Sequence, residues 1–332
     1  MVALATLSDI NNNLNTTNNR VSTGLRIAQA SDSAAYWAIA TTTRSDNGAL
    51  GTVQDALAIG KATLDVTYNG LESVRENIQE IKELLVAARQ PGVNRGNIQT
   101  QIDGLLSDIE NKARASVINE QNFLVQDRDD AAFSATRSVV ASFERAAGGT
   151  VSVSTIDLDI GNIILIDDDG SDDGKTSLLE ATGTGIPTVT VEDDPGATAS
   201  TTGITVDGLF ALRTYNDEDN DDTTFASPVG DLTDSAADMT TLDNMIAGVD
   251  AILTNVISAA NTVGVNLARA ESQETFISAL MDANDRAVGA LVDANMEEES
   301  TKLRALQTQQ QLAVQSLAIA NSSAQNVLAL FN

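Results

Sequence analysis

Residues 50–88 carry the pattern that decides the fold: LGTVQDALAIGKATLDVTYNGLESVRENIQEIKELLVAA. Mostly apolar residues recur in alternating steps of three and four, which form a seam along one side of a helix. A 3.5-residue repeat held over several turns indicates a coiled coil. At 1.5 Å per residue, the helix would be about 57 Å long. The seam residues are Leu50, Val53, Leu57, Gly60, Leu64, Thr67, Leu71, Val74, Ile78, Ile81, Leu85 and Ala88.

The same spacing occurs in three other stretches, two of them at the ends of the chain. The N-terminal seam is Leu4, Leu7, Asn11, Leu14, Asn18, Val21 and Leu25. The C-terminal seam is Leu303, Leu306, Gln310, Ala313, Leu317, Ala320, Ala324, Val327 and Phe331. The third seam is Met239, Leu242, Ile246, Val249, Leu253, Val256, Ala260, Val263, Leu267, Ala270, Glu274, Ile277 and Met281. Two helical halves, far apart in sequence, therefore each need a partner for an apolar seam.

Between these halves the pattern changes twice. Pro91 and Gly92 predict the end of the long helix, because proline cannot continue a helix and glycine permits a turn. A shorter helix with Ile98, Ile102, Leu105 and Ile109 on one face is expected next. From about Gln121, alternating β-branched segments such as 150–154 and 189–191 indicate short strands, and the apolar run 163–166 is also predicted to be a strand.

We therefore predict a mainly α fold: an antiparallel coiled-coil helical core from both chain ends, with a β-rich central insertion at the turn-around end. Two independent coiled-coil segments are the alternative. Similar seam lengths in the two halves favour pairing.

Composition excludes several classes of function. The 332 residues include 19 Lys+Arg and 47 Asp+Glu, a net charge of −28, which argues against binding nucleic acid or an anionic membrane. No uninterrupted apolar run approaches the ~18–20 residues of a membrane helix. Histidine and cysteine are absent, which excludes Ser-His-Asp triads and thiolate metal sites. We expect no enzyme activity, no cofactor, and no catalytic or metal-binding residues.

The insertion is strongly acidic, and one of its segments resembles a cation site. Asp169–Glu180 has oxygen-bearing residues at the spacing of a calcium loop, with Gly174 at the sixth position. A strand, rather than a helix, is predicted before it. An acidic turn is therefore the favoured interpretation, and calorimetric titration with calcium would decide.

The two chain ends are almost free of charge. Residues 303–332 contain only Arg304, and residues 1–30 contain only Asp9, Arg20 and Arg26. A solvated helix normally has a charged face, whereas a helix packed on all sides avoids unpaired charges. We interpret these helices as an assembly element that packs against further copies; an ordinary dimeric coiled coil is the alternative. The predicted assembly seam is Leu4, Leu7, Leu14, Val21, Leu25, Leu303, Leu306, Ala313, Leu317, Ala320, Val327 and Phe331.

Both ends resemble the bacterial flagellin family. The N-terminal run RVSTGLRI (20–27), followed by ASDSAA (30–35), resembles the family's N-terminal signature, and LAIAN (317–321) with QNVLALF (325–331) resembles its C-terminal one. The signature residues are Arg20, Ser22, Gly24, Leu25, Arg26, Asp32, Ala34 and Ala35. Relatives usually carry a short stretch before the residue that matches Met1, so a trimmed or misassigned start is expected.

The resemblance implies a structural subunit of the extracellular flagellar filament that serves swimming motility. It implies an inner-tube coiled coil (1–30 and 300–332), an outer-tube helical domain (31–135 and 237–299) and a variable surface domain (136–236). The expected partners are further copies of the chain, the flagellar export apparatus, cap and junction proteins, and other flagellins. A hook–filament junction protein and a secreted calcium-dependent coiled-coil adhesin are the alternatives.

Overall fold

The computed structural model describes residues 2–128, 130, 133–146, 149–167, 178–179, 209–212 and 229–330. The predicted strand at 189–191, Phe331 and most of the calcium-loop segment lie outside the described residues. The elements in chain order are α1 (Val2–Thr23), α2 (Ala34–Ala88), α3 (Arg95–Ala115), β1 (Val125–Gln126), β2 (Thr136–Arg145), β3 (Val151–Asp159), β4 (Ile166–Asp167), a 3-10 turn (Leu209–Leu212), α4 (Ala236–Val292) and α5 (Met296–Leu330).

The chain divides into two compact units. A terminal unit consists of Met1–Thr52 and Phe276–Asn332, and a central unit consists of Val53–Thr275. The boundary falls within α2 and α4. The predicted mainly α fold, with helices from both chain ends around a strand-containing middle, is confirmed.

In the central unit, α2 and α4 run antiparallel. Every non-glycine member of the α2 seam from Val53 to Ala88 is buried. Glu274, the charged member of the α4 seam, pairs with Lys61, and this hydrogen bond raises the pKa of the Lys61 ammonium. Ion pairs join the helices along their lengths: Lys61 Nζ–Glu274 Oε2 (3.1 Å), Lys82 Nζ–Asp250 Oδ1 (2.5 Å) and Arg89 Nε–Asp243 Oδ1 (2.9 Å).

The helix α3 begins with a side-chain cap, because Asn94 Oδ1 accepts from the Asn97 N–H. Its predicted apolar face is wrong at one position. Leu106 is fully buried, whereas Leu105 is half-buried. Both residues fit a helical spacing from Ile102, at i+4 and i+3, so only the neighbouring elements decide which one enters the core.

A buried arginine joins the end of α2 to the segment before α4. Arg95 is 7 % exposed, and its guanidinium donates to Ala88 O (2.8 Å), Leu232 O (3.2 Å) and Asp234 Oδ1 (2.7 Å). The guanidinium thus uses its planar set of donors to satisfy two backbone carbonyls and a carboxylate.

The N-terminus of α4 is held by a cap in which two side chains accept backbone protons. Ser235 Oγ accepts from the Asp238 N–H (3.1 Å), and Asp238 Oδ2 accepts from the backbone N–H (2.8 Å) and the hydroxyl of Thr233. The side-chain and backbone bonds from Thr233 lower the pKa of the Asp238 carboxyl. These bonds satisfy donors that a helix start would otherwise leave unpaired.

The described strands form two small sheets. β2 and β3 pair antiparallel with a register shift between Val140 and Ser142, and β1 pairs parallel with β4. The strand predicted at 150–154 corresponds to the start of β3. Of the strand predicted at 163–166, only Ile166 lies in a strand, although all four residues are buried.

Two glycines of α2 mark where the region after α3 packs on this helix. A Cβ on Gly60 would lie 2.2 Å from Val139 Cγ1, and one on Gly70 would lie 2.5 Å from Ser116 Oγ and 2.7 Å from Leu124 Cδ1. All three distances are too short for a real Cβ atom. The two glycines therefore provide the space into which β2 and the segment before β1 fit.

Among the described residues, one helix is long and apolar enough to cross a membrane, judged by length and composition alone. An 18-residue window within α4 has a mean hydropathy of 1.3, and 39 % of that window is buried inside the protein. This is weak evidence for a membrane span, because the core helix of a soluble protein meets the same criteria.

Candidate assembly interface

The helices α1 and α5 pair antiparallel within the terminal unit. Gln310 Nε2 donates to Asn11 Oδ1 at 2.7 Å, and Arg20 Nη1 donates to Glu299 Oε1 at 3.1 Å. The two partners of each pair are about 300 residues apart in sequence. Asn11 and Gln310 occupy seam positions of their helices, so the structure places two polar seam residues opposite each other.

Most described members of the predicted assembly seam are at least partly shielded from water in the terminal unit. Leu306 is buried at 8 % exposure, whereas Leu4 is an exception at 65 %. Phe331 lies outside the described residues, and Ala320 and Val327 lie on α5. The half-buried members are Leu7, Leu14, Val21, Leu25, Leu303, Ala313 and Leu317.

Apolar side chains also occupy faces of α5 other than the seam. Leu312 is 59 % exposed, Val314 is 52 % exposed and Ile319 is 66 % exposed. Leu312 and Ile319 are seven residues apart and share a face, whereas Val314 lies on a different one. The terminal unit by itself therefore leaves large apolar side chains in contact with water on more than one side of α5.

The signature residues after α1 form a turn that binds the junction between α4 and α5. Gly24 has φ = 71°, a left-handed conformation that glycine adopts without strain, and its carbonyl accepts from the Ala294 N–H at 2.8 Å. Leu25 forms an isolated antiparallel bridge with Asp293. Arg26 Nη2 donates to Leu291 O at 3.0 Å. This turn therefore ties the end of α1 to the C-terminal half of the chain through backbone bonds.

The next signature residues lead into α2. Asp32 Oδ2 accepts from the N–H groups of Ala28 (3.0 Å) and Gln29 (3.1 Å), which closes the turn. Ala34 and Ala35 begin α2 and are exposed, as is Ser22 on α1. A small core beneath this turn consists of Ile27, Ala40, Val288 and Val292.

Apolar spacing did not reveal several polar contacts of the terminal unit. The Asn47 amide donates to Asp285 Oδ1 (2.7 Å) and Met281 O (3.2 Å) and accepts from Asn284 Nδ2 (3.0 Å), which joins α2 to α4. Glu299, the partner of Arg20, was also missed. Asn47 and Glu299 belong to no local sequence motif, because the partners of each lie more than 230 residues away in the chain.

Comparison with known proteins shows the family to which this helical arrangement belongs. Residues 1–128 match the family model described as the bacterial flagellin N-terminal helical region, and residues 246–331 match the bacterial flagellin C-terminal helical region. The chain belongs to the bacterial flagellin family. It is 40 % identical over 331 residues to Flagellin C of Rhizobium meliloti (strain 1021), covering 100 % of this chain and 96 % of the relative.

Two further flagellins are similar to this chain along its whole length. Flagellin D of Rhizobium meliloti is 38 % identical over 387 residues, covering 100 % of this chain and 97 % of that protein. A flagellin of Brucella melitensis biotype 1 is 34 % identical over 332 residues, covering 100 % and 96 %. The chain is a structural subunit that polymerises into the flagellar filament, which serves motility, and the junction-protein and adhesin alternatives are not favoured.

Proposed function

We propose that the α1–α5 pair is the surface through which copies of this flagellin pack together in the filament. The observation that carries the proposal is the exposure of Leu312 and Val314 on a helix whose residues 303–332 include a single charged side chain. Burying one such side chain stabilises an interface by roughly 1.5–3 kcal/mol. A contact of this kind that does not close on itself generates a helical polymer, as a filament requires.

The proposal also assigns a position in the filament to each segment of the chain. Residues 1–30 and 300–332 form the inner coiled coil of the filament, residues 31–135 and 237–299 form a surrounding helical layer, and residues 136–236 form a surface domain. The acidic balance of the chain supports an outward, solvated position for that domain, since like charges keep polymers apart. Within the described residues, no group of three or more acidic side chains is arranged to hold a metal ion.

The cellular route is part of the same proposal. Subunits pass through the flagellar export apparatus, assemble outside the cell beneath cap proteins and next to junction proteins, and co-assemble with other flagellins where these are present. The protein acts as a building unit and carries out no catalysis. The family assignment and the absence of cysteine, which suits export of an unfolded chain, support this route.

Replacing Leu312 by lysine tests the assembly surface. The side chain is exposed in the subunit, so we expect circular dichroism of the monomer to be unchanged. Burying an unpaired ammonium in a subunit contact costs several kcal/mol, and every 1.4 kcal/mol is a factor of ten in an equilibrium constant. The critical concentration for filament formation, measured by sedimentation and electron microscopy, should rise by at least about 100-fold.

Two matched variants complete the test. Leu312→Ala removes apolar area without adding charge and should raise the critical concentration by about 10-fold. Asn111→Lys adds the same charge at an exposed position on α3 and should leave assembly close to normal. Filaments of Leu312→Lys that form at the wild-type critical concentration would contradict the proposed surface.

A further inference from the structure

The ion pair between Arg20 and Glu299 joins the C-terminal end of α1 to the N-terminal end of α5. Arg20 lies in the last turn of α1 and Glu299 in the first turn of α5. A positive charge is favourable at a helix C-terminus and a negative charge at an N-terminus. The antiparallel arrangement brings these two ends together, so each charge interacts favourably with its own helix and with its partner.

Glu299 has little access to water that could replace Arg20. Its side chain is 10 % exposed, and its second oxygen, Oε2, is buried without a hydrogen-bond partner among the described residues. A buried charge that loses its partner is strongly unfavourable, whereas apolar residues at both positions would be tolerated. Any arrangement of α5 that separates Glu299 from Arg20 is therefore penalised more than the loss of an exposed pair would be.

The apolar seam alone does not select one arrangement. Seam residues repeat every seven positions on both helices, so sliding α5 by one heptad again places Leu and Ala opposite Leu. The Asn11–Gln310 pair gives limited discrimination, because a slip in one direction places Gln310 opposite Asn18. The same slip places Arg20 opposite Leu306, and the opposite slip moves Arg20 beyond the start of α5. The ion pair is thus lost in both directions.

We propose that Arg20 and Glu299 determine the register in which the two ends of this flagellin pair within the filament. The proposal rests on the assembly function of the α1–α5 pair and adds the residues that give this pair one arrangement. A uniform register matters because every subunit must present the same apolar surface to its neighbours. Arg20 and Glu299 are thus positioning residues, whose charges orient α5 relative to α1.

The distance between spin labels on α1 and α5 measures this register. Because the chain has no cysteine, Ser8→Cys and Thr301→Cys provide two unique labelling positions, both exposed. In the observed pairing these positions lie roughly 16 Å apart along the helix axis, and a slip of one heptad changes that offset by about 10 Å. Pulsed electron paramagnetic resonance measures the distance between the two labels. When a small fraction of doubly labelled subunits is mixed with unlabelled subunits, the filaments report distances within one subunit.

The variant Arg20→Leu/Glu299→Leu removes both charges while keeping the seam apolar. We expect its filaments to show a second, shifted distance beside the original one. Asn11→Leu/Gln310→Leu, which leaves the ion pair intact, should keep a single distance. The backbone bridge between Leu25 and Asp293 is the competing source of register, and it is unchanged in both variants.

A charge-swapped variant, Arg20→Glu/Glu299→Arg, makes the test independent of whether the leucine variant assembles. It restores a complementary pair, although each charge now lies at the less favourable end of its helix. The filaments that it forms should show the single original distance. A single, unshifted distance in the double-leucine filaments would overturn the proposal, as would a shifted distance in the filaments of the swapped variant. A defect of the assembly surface itself would instead appear in sedimentation, without a shifted distance in the filaments that do form.

Discussion

Gly70→Ala should destabilise the central unit, although alanine is the better helix former. Gly70 lies inside α2, where replacing glycine by alanine normally stabilises by roughly 0.5–1 kcal/mol. Here the new Cβ would lie 2.5 Å from Ser116 Oγ and 2.7 Å from Leu124 Cδ1. Both neighbours are buried, and Ser116 Oγ donates to Lys112 O at 2.8 Å. Neither side chain can move aside without breaking a contact.

The expected size follows from the two opposing effects. Overpacking of a well-packed site costs typically about 1–3 kcal/mol, which exceeds the gain in helix propensity. We expect a net loss of about 0.5–2 kcal/mol in the free energy of unfolding. For a unit of this size, 1 kcal/mol corresponds to a shift of about 2–4 °C in Tm.

Gly104→Ala in α3 is the matched control. This glycine also lies inside a helix, but a Cβ there has nothing within 4 Å. The same change in propensity should therefore raise the Tm. The assay is thermal unfolding of the dissociated monomer, followed by circular dichroism for both variants in parallel.

The direction of the Tm change in Gly70→Ala, compared with Gly104→Ala, tests the predicted close packing. If Gly70→Ala stabilises the monomer as much as Gly104→Ala does, the close packing of α2 against Ser116 and Leu124 is refuted. A partial recovery in Gly70→Ala/Ser116→Ala, compared with the two single variants, would assign part of the loss to the hydroxyl.

Two further predictions concern polar groups at the ends of the central helices. Arg95→Lys should lower the free energy of unfolding by about 1–3 kcal/mol, because one ammonium cannot reproduce the guanidinium bonds to two carbonyls and Asp234; urea unfolding measures this loss, and a neutral result would contradict the buried role of Arg95. The lowered pKa of Asp238 predicts a contribution to stability that is present above about pH 4 and is lost as the pH falls through the folded-state value. Asp238→Asn should remove that part of the acid dependence of unfolding, and an unchanged pH profile would argue against the cap.

Sequence periodicity predicted the helical elements well because the information is local. The spacing from Leu50 to Ala88 defines one face of α2, and that face is buried in the structure. Pro91 and Gly92 marked the end of this helix, and Gly92 adopts a φ of 78°. The pattern could not distinguish Leu105 from Leu106 in α3, because both satisfy the helical repeat and only the packed neighbours differ.

The sequence by itself determined that both ends of this flagellin form helices with apolar seams and too few charges for a fully solvated surface. Composition and spacing suffice for that, since each depends on residues within a few turns of one another. Only the tertiary structure decided that Gln310 faces Asn11, that Glu299 faces Arg20, and that Gly70 makes room for Leu124. A heptad repeat defines which face of a helix is buried but leaves the axial position of its partner open, and that position depends on contacts between residues far apart in the chain.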